Sequence, residues 1–355
     1  MKLTKKFPIL TTLLLLTISS NLAWADDKHH KLPVDKVKGP LSVMVLGSGG
    51  PVATASGRAS ASYMVFLDGE PRILMDIGGG AFQRLAASGM NIKDLDLVLL
   101  SHLHIDHTGD LSAAIKTIYF HNNLAGTART SPVHIYGPKD NGEKFPGSSI
   151  TQYPSTTDYA HDHYNINGGT ERYLNIFASA ISGGNSKFQY MAHDLKSAFA
   201  GAVIEEIPNS IDGLSMQAIA VDHGPVPALA FRIEYKGHSI VYSGDTRSKN
   251  GNMITISENA DLLIYDTAIT DDLPPNPVFH LLHTSPTRIG EVATAAGVKK
   301  LVLSHITPVT EPRLEEVKQT IRDQGYYGKI KVAKDLKVFN LGDDQEHDDY
   351  ENNDD

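Results

Sequence analysis

Short apolar runs bounded by turn residues dominate the first part of the chain, with segments of helical period between them. Leu41 to Leu46, Ala61 to Leu67 and Arg72 to Met75 read as strands. Ala81 to Ser88 suits a helix, Asp96 to Leu100 a buried strand, Leu111 to Asn122 a helix and Val133 to Tyr136 a strand. From Gly137 to about Gly201 the periodicity weakens and Gly, Ser, Asn and Tyr accumulate. The segment 137–201 is therefore expected to be an insertion or lid with some local structure, since loops of this length commonly serve function. The strand pattern resumes at Leu214 to Val221, Ala228 to Tyr235 and His238 to Tyr242, with Lys236-Gly237 joining the last two as a hairpin. Asp261 to Tyr265 and Lys300 to Leu303 are short apolar strands, and Pro286 to Ala296 and Glu311 to Gln324 suit helices. Strands near Lys329 to Ala333 and Leu336 to Asn340 complete the pattern. Two strand-rich halves with helices outside them predict an α/β fold of four layers, an αββα sandwich.

The N-terminus follows a different pattern. Lys2, Lys5 and Lys6 precede an apolar run from Ile9 to Ile18, and Ala23-Trp24-Ala25 supplies a small-x-small site before Asp26. Residues 1–25 are expected to be a cleaved secretory signal, too short for a membrane anchor, which places the protein in the periplasm or outside the cell with no stable membrane insertion. The fold proper is then 26–342. After Gly342 come eight acids and no Lys or Arg, a composition expected to stay disordered over 343–355. The formal net charge is −9, much of it in that tail, and no basic footprint for nucleic acid is present. There is no cysteine, so no thiolate serves as metal ligand or nucleophile.

The most informative stretch is Ser101-His102-Leu103-His104-Ile105-Asp106-His107-Thr108-Gly109-Asp110, directly after an apolar strand. Imidazole and carboxylate are good zinc ligands. In an extended segment His102 and His104 point the same way, and a turn after them brings Asp106 and His107 towards a second ion. Three more ligand types stand at strand ends: His223 in Val221-Asp222-His223-Gly224-Pro225, Asp245 in Ser243-Gly244-Asp245-Thr246, and His305 in Leu303-Ser304-His305-Ile306-Thr307. Singly, each reads as an ordinary strand-end polar residue; their shared placement points to one site.

With the opening Leu46-Gly47-Ser48-Gly49-Gly50-Pro51 and the strand ending in Asp76, these segments resemble the metallo-β-lactamase superfamily from about Leu41 to Leu341. The branches they resemble most contain tRNA 3′-end-processing ribonuclease Z, secreted zinc arylsulfatases and related phosphodiesterases. The resemblance implies that His102, His104 and His223 hold one zinc ion and Asp106, His107 and His305 the other, with Asp245 bridging both. Manganese or iron also suits such a nitrogen and oxygen site. It further implies attack by a metal-bound hydroxide oriented by Asp106, with His283 in Leu282-His283-Thr284-Ser285 protonating the leaving group. His283 reads equally well as a residue leading a helix, and His280 is its rival. Asp76 is either an organiser of the metal-binding loop through hydrogen bonds or a strand-end turn residue. The loop Gly47 to Gly50 lacks the ending of a phosphate-binding P-loop and reads as a tight turn near the site. His161, His163 and His193 read as surface residues of the insertion.

The expected function is an exported dinuclear zinc hydrolase acting on a small anionic ester, a phosphodiester or an aryl sulfate. Ribonuclease Z is the first alternative. Its tRNA-gripping arm lies between the third histidine and the bridging aspartate, where this chain has only 21 residues, and the acidic charge disfavours a nucleic-acid partner. β-Lactamase is disfavoured by Asp245, because those enzymes place Cys or Ser there. A non-catalytic metal-binding module is disfavoured by seven intact ligand positions. A homodimer and a monomer both remain open.

Overall fold

A computed structural model of the chain describes residues 31–144, 152–165, 167, 169–174, 188–274 and 277–342. The expected signal at 1–25 and the acidic tail at 343–355 lie outside the described residues. No helix among the described residues is long and apolar enough to cross a membrane.

Among the described residues, fourteen strands form two seven-stranded sheets. One contains β1 (Leu41–Gly47), β2 (Ser62–Leu67), β3 (Glu70–Ile77), β4 (Leu97–Leu99), β5 (Val133–Pro138), β6 (Tyr190–Leu195) and β14 (Val338–Leu341). Its order is β14-β1-β2-β3-β4-β5-β6. The other contains β7 (Glu205–Glu206), β8 (Leu214–His223), β9 (Val226–Tyr235), β10 (His238–Tyr242), β11 (Leu262–Asp266), β12 (Lys300–Ser304) and β13 (Lys329–Val332). Its order is β13-β12-β11-β10-β9-β8-β7. The strands β3 to β6 run parallel to one another, as do β10 to β13, and the remaining pairs are antiparallel.

Side-chain alternation explains why the strands read as continuous apolar runs. In β1, Leu41, Val43 and Val45 face the other sheet, while Met44 and Leu46 face the outer helices. In β11, Leu262 and Ile264 point to the inter-sheet core, and Leu263 and Tyr265 point outward. Both faces of the central strands are buried, as parallel strands inside a sheet require. Helices Ala81–Ser88 and Leu111–Leu124 cover the first sheet, and Pro286–Ala295 and Leu314–Asp323 cover the second. The result is the expected α/β arrangement of helix, sheet, sheet and helix layers.

Differences from expectation are local. The span 311–324 divides into a 3-10 turn at Glu311–Arg313 and the helix Leu314–Asp323, with Pro312 in the turn. Lys236 and Gly237 adopt φ of 48° and 80°, the two left-handed positions of the expected hairpin turn. Within 137–201 the described residues include helix Thr156–Tyr164, where Ser155 Oγ accepts from Asp158 N at 3.1 Å, and strand β6. β6 is an outer strand of its sheet and only Leu195 is buried, so it carries little apolar signal.

Close backbone approach ties the first sheet to the turn after β4. A Cβ on Gly78 would lie 2.0 Å from the Asp106 carbonyl oxygen. Gly78→Ala is expected to destabilise the fold by roughly 1–3 kcal/mol, as overpacking does, and to displace the 102–107 segment. Thermal unfolding together with metal titration checks this. A variant with unchanged melting and unchanged metal affinity would show that the contact is not needed.

Candidate metal centre

Segments that follow strand ends at one edge of the sandwich deliver the seven candidate ligands. After β4, Ser101 donates to Asp76 through both its amide (2.7 Å to Oδ1) and its hydroxyl (2.6 Å to Oδ2), which turns the chain. His102 and His104 follow in extended backbone, with 2.9 Å between His102 Nε2 and His104 Nδ1. The single turn Ile105–Thr108 then carries Asp106 and His107 round. β8 ends on His223, β10 leads through Ser243 and Gly244 to Asp245, and β12 leads to His305. His305 holds φ at 59° and Asp76 at 52°, left-handed positions that cost non-glycine residues energy and concentrate at functional sites.

The structure brings all seven candidate ligands together. His102, His104 and His223 form one group; Asp106, His107, Asp245 and His305 form another. The Asp245 carboxylate stands between them. Its Oδ1 lies 3.4 Å from His107 Nε2 and 3.2 Å from His305 Nε2. Its Oδ2 lies 3.8 Å from His102 Nε2 and 3.9 Å from His223 Nε2. Asp106 Oδ2 completes the second group at 3.4 Å from His107 Nε2 and 3.3 Å from His305 Nε2.

Three polar atoms of this cluster, His223 Nε2, Asp245 Oδ1 and His305 Nδ1, are buried without a hydrogen-bond partner. Buried lone pairs without a donor are costly unless a cation takes them. The donor set is nitrogen and oxygen with no thiolate, which fits zinc, manganese or iron. The residues present therefore fit a divalent metal.

Outer contacts fix the rings. His107 Nδ1 donates to Asp76 Oδ2 at 2.7 Å, and Tyr242 donates to the same oxygen at 2.7 Å. His223 Nδ1 donates to the Leu282 carbonyl at 2.7 Å, which turns Nε2 inward. Of the two readings of Asp76, its contacts are those of a loop organiser. The tight turn near Gly50 also lies against the site: a Cβ there would be 2.9 Å from His305 Cε1.

Asp266, at the end of β11, is a site residue that the sequence reading missed. Its Oδ2 accepts from His283 Nδ1 at 2.9 Å, and its Oδ1 lies 3.3 Å from His305 Nδ1. Asp245, Asp266, His283 and His305 form a third compact group. A signal existed: Asp266 ends a short buried strand, as the Asp245 segment does. His283 is therefore inside the cluster. His280, in contrast, pairs with the Leu273 carbonyl at 3.2 Å. The insertion histidines lie apart, His163 on Ser112 at 3.0 Å, His193 on His134 at 3.0 Å, and His161 exposed beside Asp162.

The protein's own charges divide the cluster. Burial favours neutral His102 and His223, and neighbouring rings add to this; His223 is lowered to about 3. Burial opposes charge on His305 and His107 too, but Asp245 and Asp106 outweigh it, raising His107 well above its ordinary value and His305 to about 10. Asp106 and Asp245 are held well below the carboxylate range, because His107 and His305 outweigh the cost of burial. One half of the cluster is a neutral histidine set and the other a carboxylate set that attracts positive charge.

A family model described as a beta-lactamase superfamily domain matches residues 184–306, and one described as the anti-Pycsar protein Apyc1 matches residues 41–139. The chain is 28% identical over 306 residues to a ribonuclease Z of Mycolicibacterium gilvum (strain PYR-GCK), covering 83% of this chain and 94% of that one. Among solved structures it is similar to the metallo-beta-lactamase fold protein YhfI from Bacillus subtilis, with TM-score 0.58 and 20% identity over 85% of this chain and 99% of that one. It is also similar to a diphosphatase from the PhnP family, with TM-score 0.55 and 19% identity over 84% and 96%. With two sheets in this order, helices on both outer faces and a His/Asp cluster at the strand ends, the chain is a protein of the metallo-β-lactamase fold with a divalent-metal site.

Proposed function

We propose that the chain is an exported, metal-dependent phosphodiesterase that holds two divalent ions, zinc foremost. The observation that carries this reading is Asp245, whose two oxygens face two different ligand groups. Two bound ions would supply an activated water near neutral pH and neutralise anionic oxygens of the ester. The remaining steps belong to the chain. Asp106 stays ionised and is the most exposed of the cluster's carboxylates, at 14%, so it can orient an attacking water by accepting its hydrogen bond. His283 gives Nδ1 to Asp266. Burial alone would lower its pKa, but Asp266 and then Asp245 raise it. The ring can therefore carry a proton on Nε2 for the leaving oxygen.

RNA is the second reading. Relatives named ribonuclease Z stand against the expectation that nucleic acid is not a partner. Export rests on the sequence of residues 1–25 alone.

Purified protein is expected to hydrolyse bis(4-nitrophenyl) phosphate. Asp245→Ala should reduce turnover by more than about 100-fold, beyond what loss of an outer partner costs, with less zinc bound per chain by elemental analysis. Turnover of a β-lactam alone, of an aryl sulfate alone, or equal turnover by Asp245→Ala would sink the reading.

Asp266→Asn should lose about 100-fold on an ester with an alkoxide leaving group, the scale of general acid catalysis. It should lose far less on 4-nitrophenolate, which departs without a proton. Equal losses on both esters would mean that Asp266 does not act through His283. Expressed with its leader, the protein should be found outside the cytoplasm with Asp26 as its first residue by terminal sequencing. An intact Met1 form in the cytoplasm would refute export.

A further inference from the structure

We propose that the open side of the metal centre carries an apolar collar that binds the uncharged organic group of a monoanionic ester, an aliphatic chain or an aromatic ring. This names the substrate class of the site and rests on the hydrolase reading above.

The open side is identified by burial. His102, His107, His223, Asp245 and His305 are buried, whereas His104 and Asp106 are partly exposed. Between those two stands Ile105, 82% exposed. An isoleucine left in water beside two polar groups gains nothing for the fold. Other segments in contact with the cluster do the same. Gly50 packs on the His305 ring, and two residues on, Val52 is exposed. Val309 is exposed four residues after His305. The short helix Pro277–Leu282 exposes Phe279 and Leu281; its last carbonyl holds His223, and Leu281 lies against Gly224, with 3.9 Å between its Cβ and a Cβ placed there. Four segments that adjoin the ligand positions thus carry these five exposed apolar side chains, and Val278 of the same short helix is a sixth, an accumulation that points to a binding surface.

Charge identifies the occupant. The segments 49–54, 101–110, 222–227, 278–284 and 304–310 contain no Lys or Arg. Cations come from beside them: Arg58 packs on Gly49, its Cβ 3.0 Å from a Cβ placed there, and is paired with Glu311 at 2.9 Å. Arg247 is paired with Asp222 at 2.5 Å, and Lys139 and Lys144 flank Asn141, whose amide donates to the Pro225 carbonyl at 3.2 Å. A polynucleotide needs a series of cations along its phosphates. One anionic head at the metal pair with an apolar group on the collar needs none.

The test is calorimetric binding of alkylphosphonates of two to eight carbons, below any micelle concentration, to zinc-loaded protein. Each added methylene should tighten Kd roughly two- to four-fold while it reaches apolar surface. Ile105→Ser, Phe279→Ser and Val52→Ser, on three different segments and checked for unchanged melting, should each flatten that series. A Kd independent of chain length overturns the collar. So does a wild-type dependence that all three variants retain, or sedimentation showing that a second copy of the chain covers these residues. Tight binding of a short oligoribonucleotide with a flat alkyl series would replace it by RNA. Because phosphonates are not hydrolysed, a steep series without diester turnover rejects the hydrolase reading and keeps the collar. Turnover with a flat series does the reverse.

Discussion

A carboxylate buried among histidines, Asp245, sets the terms for the whole site. At 2% exposure its negative charge has lost its water, and Oδ1 has no hydrogen-bond donor. Such a charge is tolerable only with compensation. Five imidazoles lie within 4 Å of it; His283 follows a short helix, and the other four come from segments at β-strand ends of both sheets. The two sheets must therefore meet in a definite register for the carboxylate to be compensated. Leu229 N donating to the Ser101 carbonyl at 2.9 Å, and Ile306 N to the Ser48 carbonyl at 2.9 Å, hold that register beside the ligands.

The outer contacts serve the same end by different means. Asp76 and Asp266 are both buried acids at strand ends, and each grips a histidine by Nδ1. Asp76 also holds the Ser101 amide and the Tyr242 hydroxyl, so its site is a rigid anchor inside the first sheet. Asp266 reaches two rings at once, His283 and His305, so it links the ring proposed to carry a proton to a proposed ligand.

How much of this was legible in the chain depends on signal density. Three histidines and an aspartate between 102 and 107 are too concentrated for a strand end chosen for packing. His223, Asp245 and His305 are single residues, legible only because each ends an apolar run and because the resemblance orders them. Asp266 also ends such a run, yet one acid after Tyr265 looks like any strand terminus, and its two histidine partners are 17 and 39 positions away. The layered fold was readable because both faces of the strands are apolar. β6 was not, since an outer strand needs little burial, and the turns Ile105–Thr108 and Pro277–Leu282 are too short to show a period.

The division of the cluster between the sheets also bears on what fastens the sandwich. The dense motif belongs to the first sheet, while His223, Asp245 and His305 belong to the second. A cation coordinated from both sides would act as a rivet through the interface, and its binding free energy would add to the cohesion of the two halves. Since the chain has no cysteine, no covalent cross-link shares that task. With such an ion bound, durability in an oxidising or reducing milieu would be uncoupled from thiol chemistry and tied to the local supply of that ion.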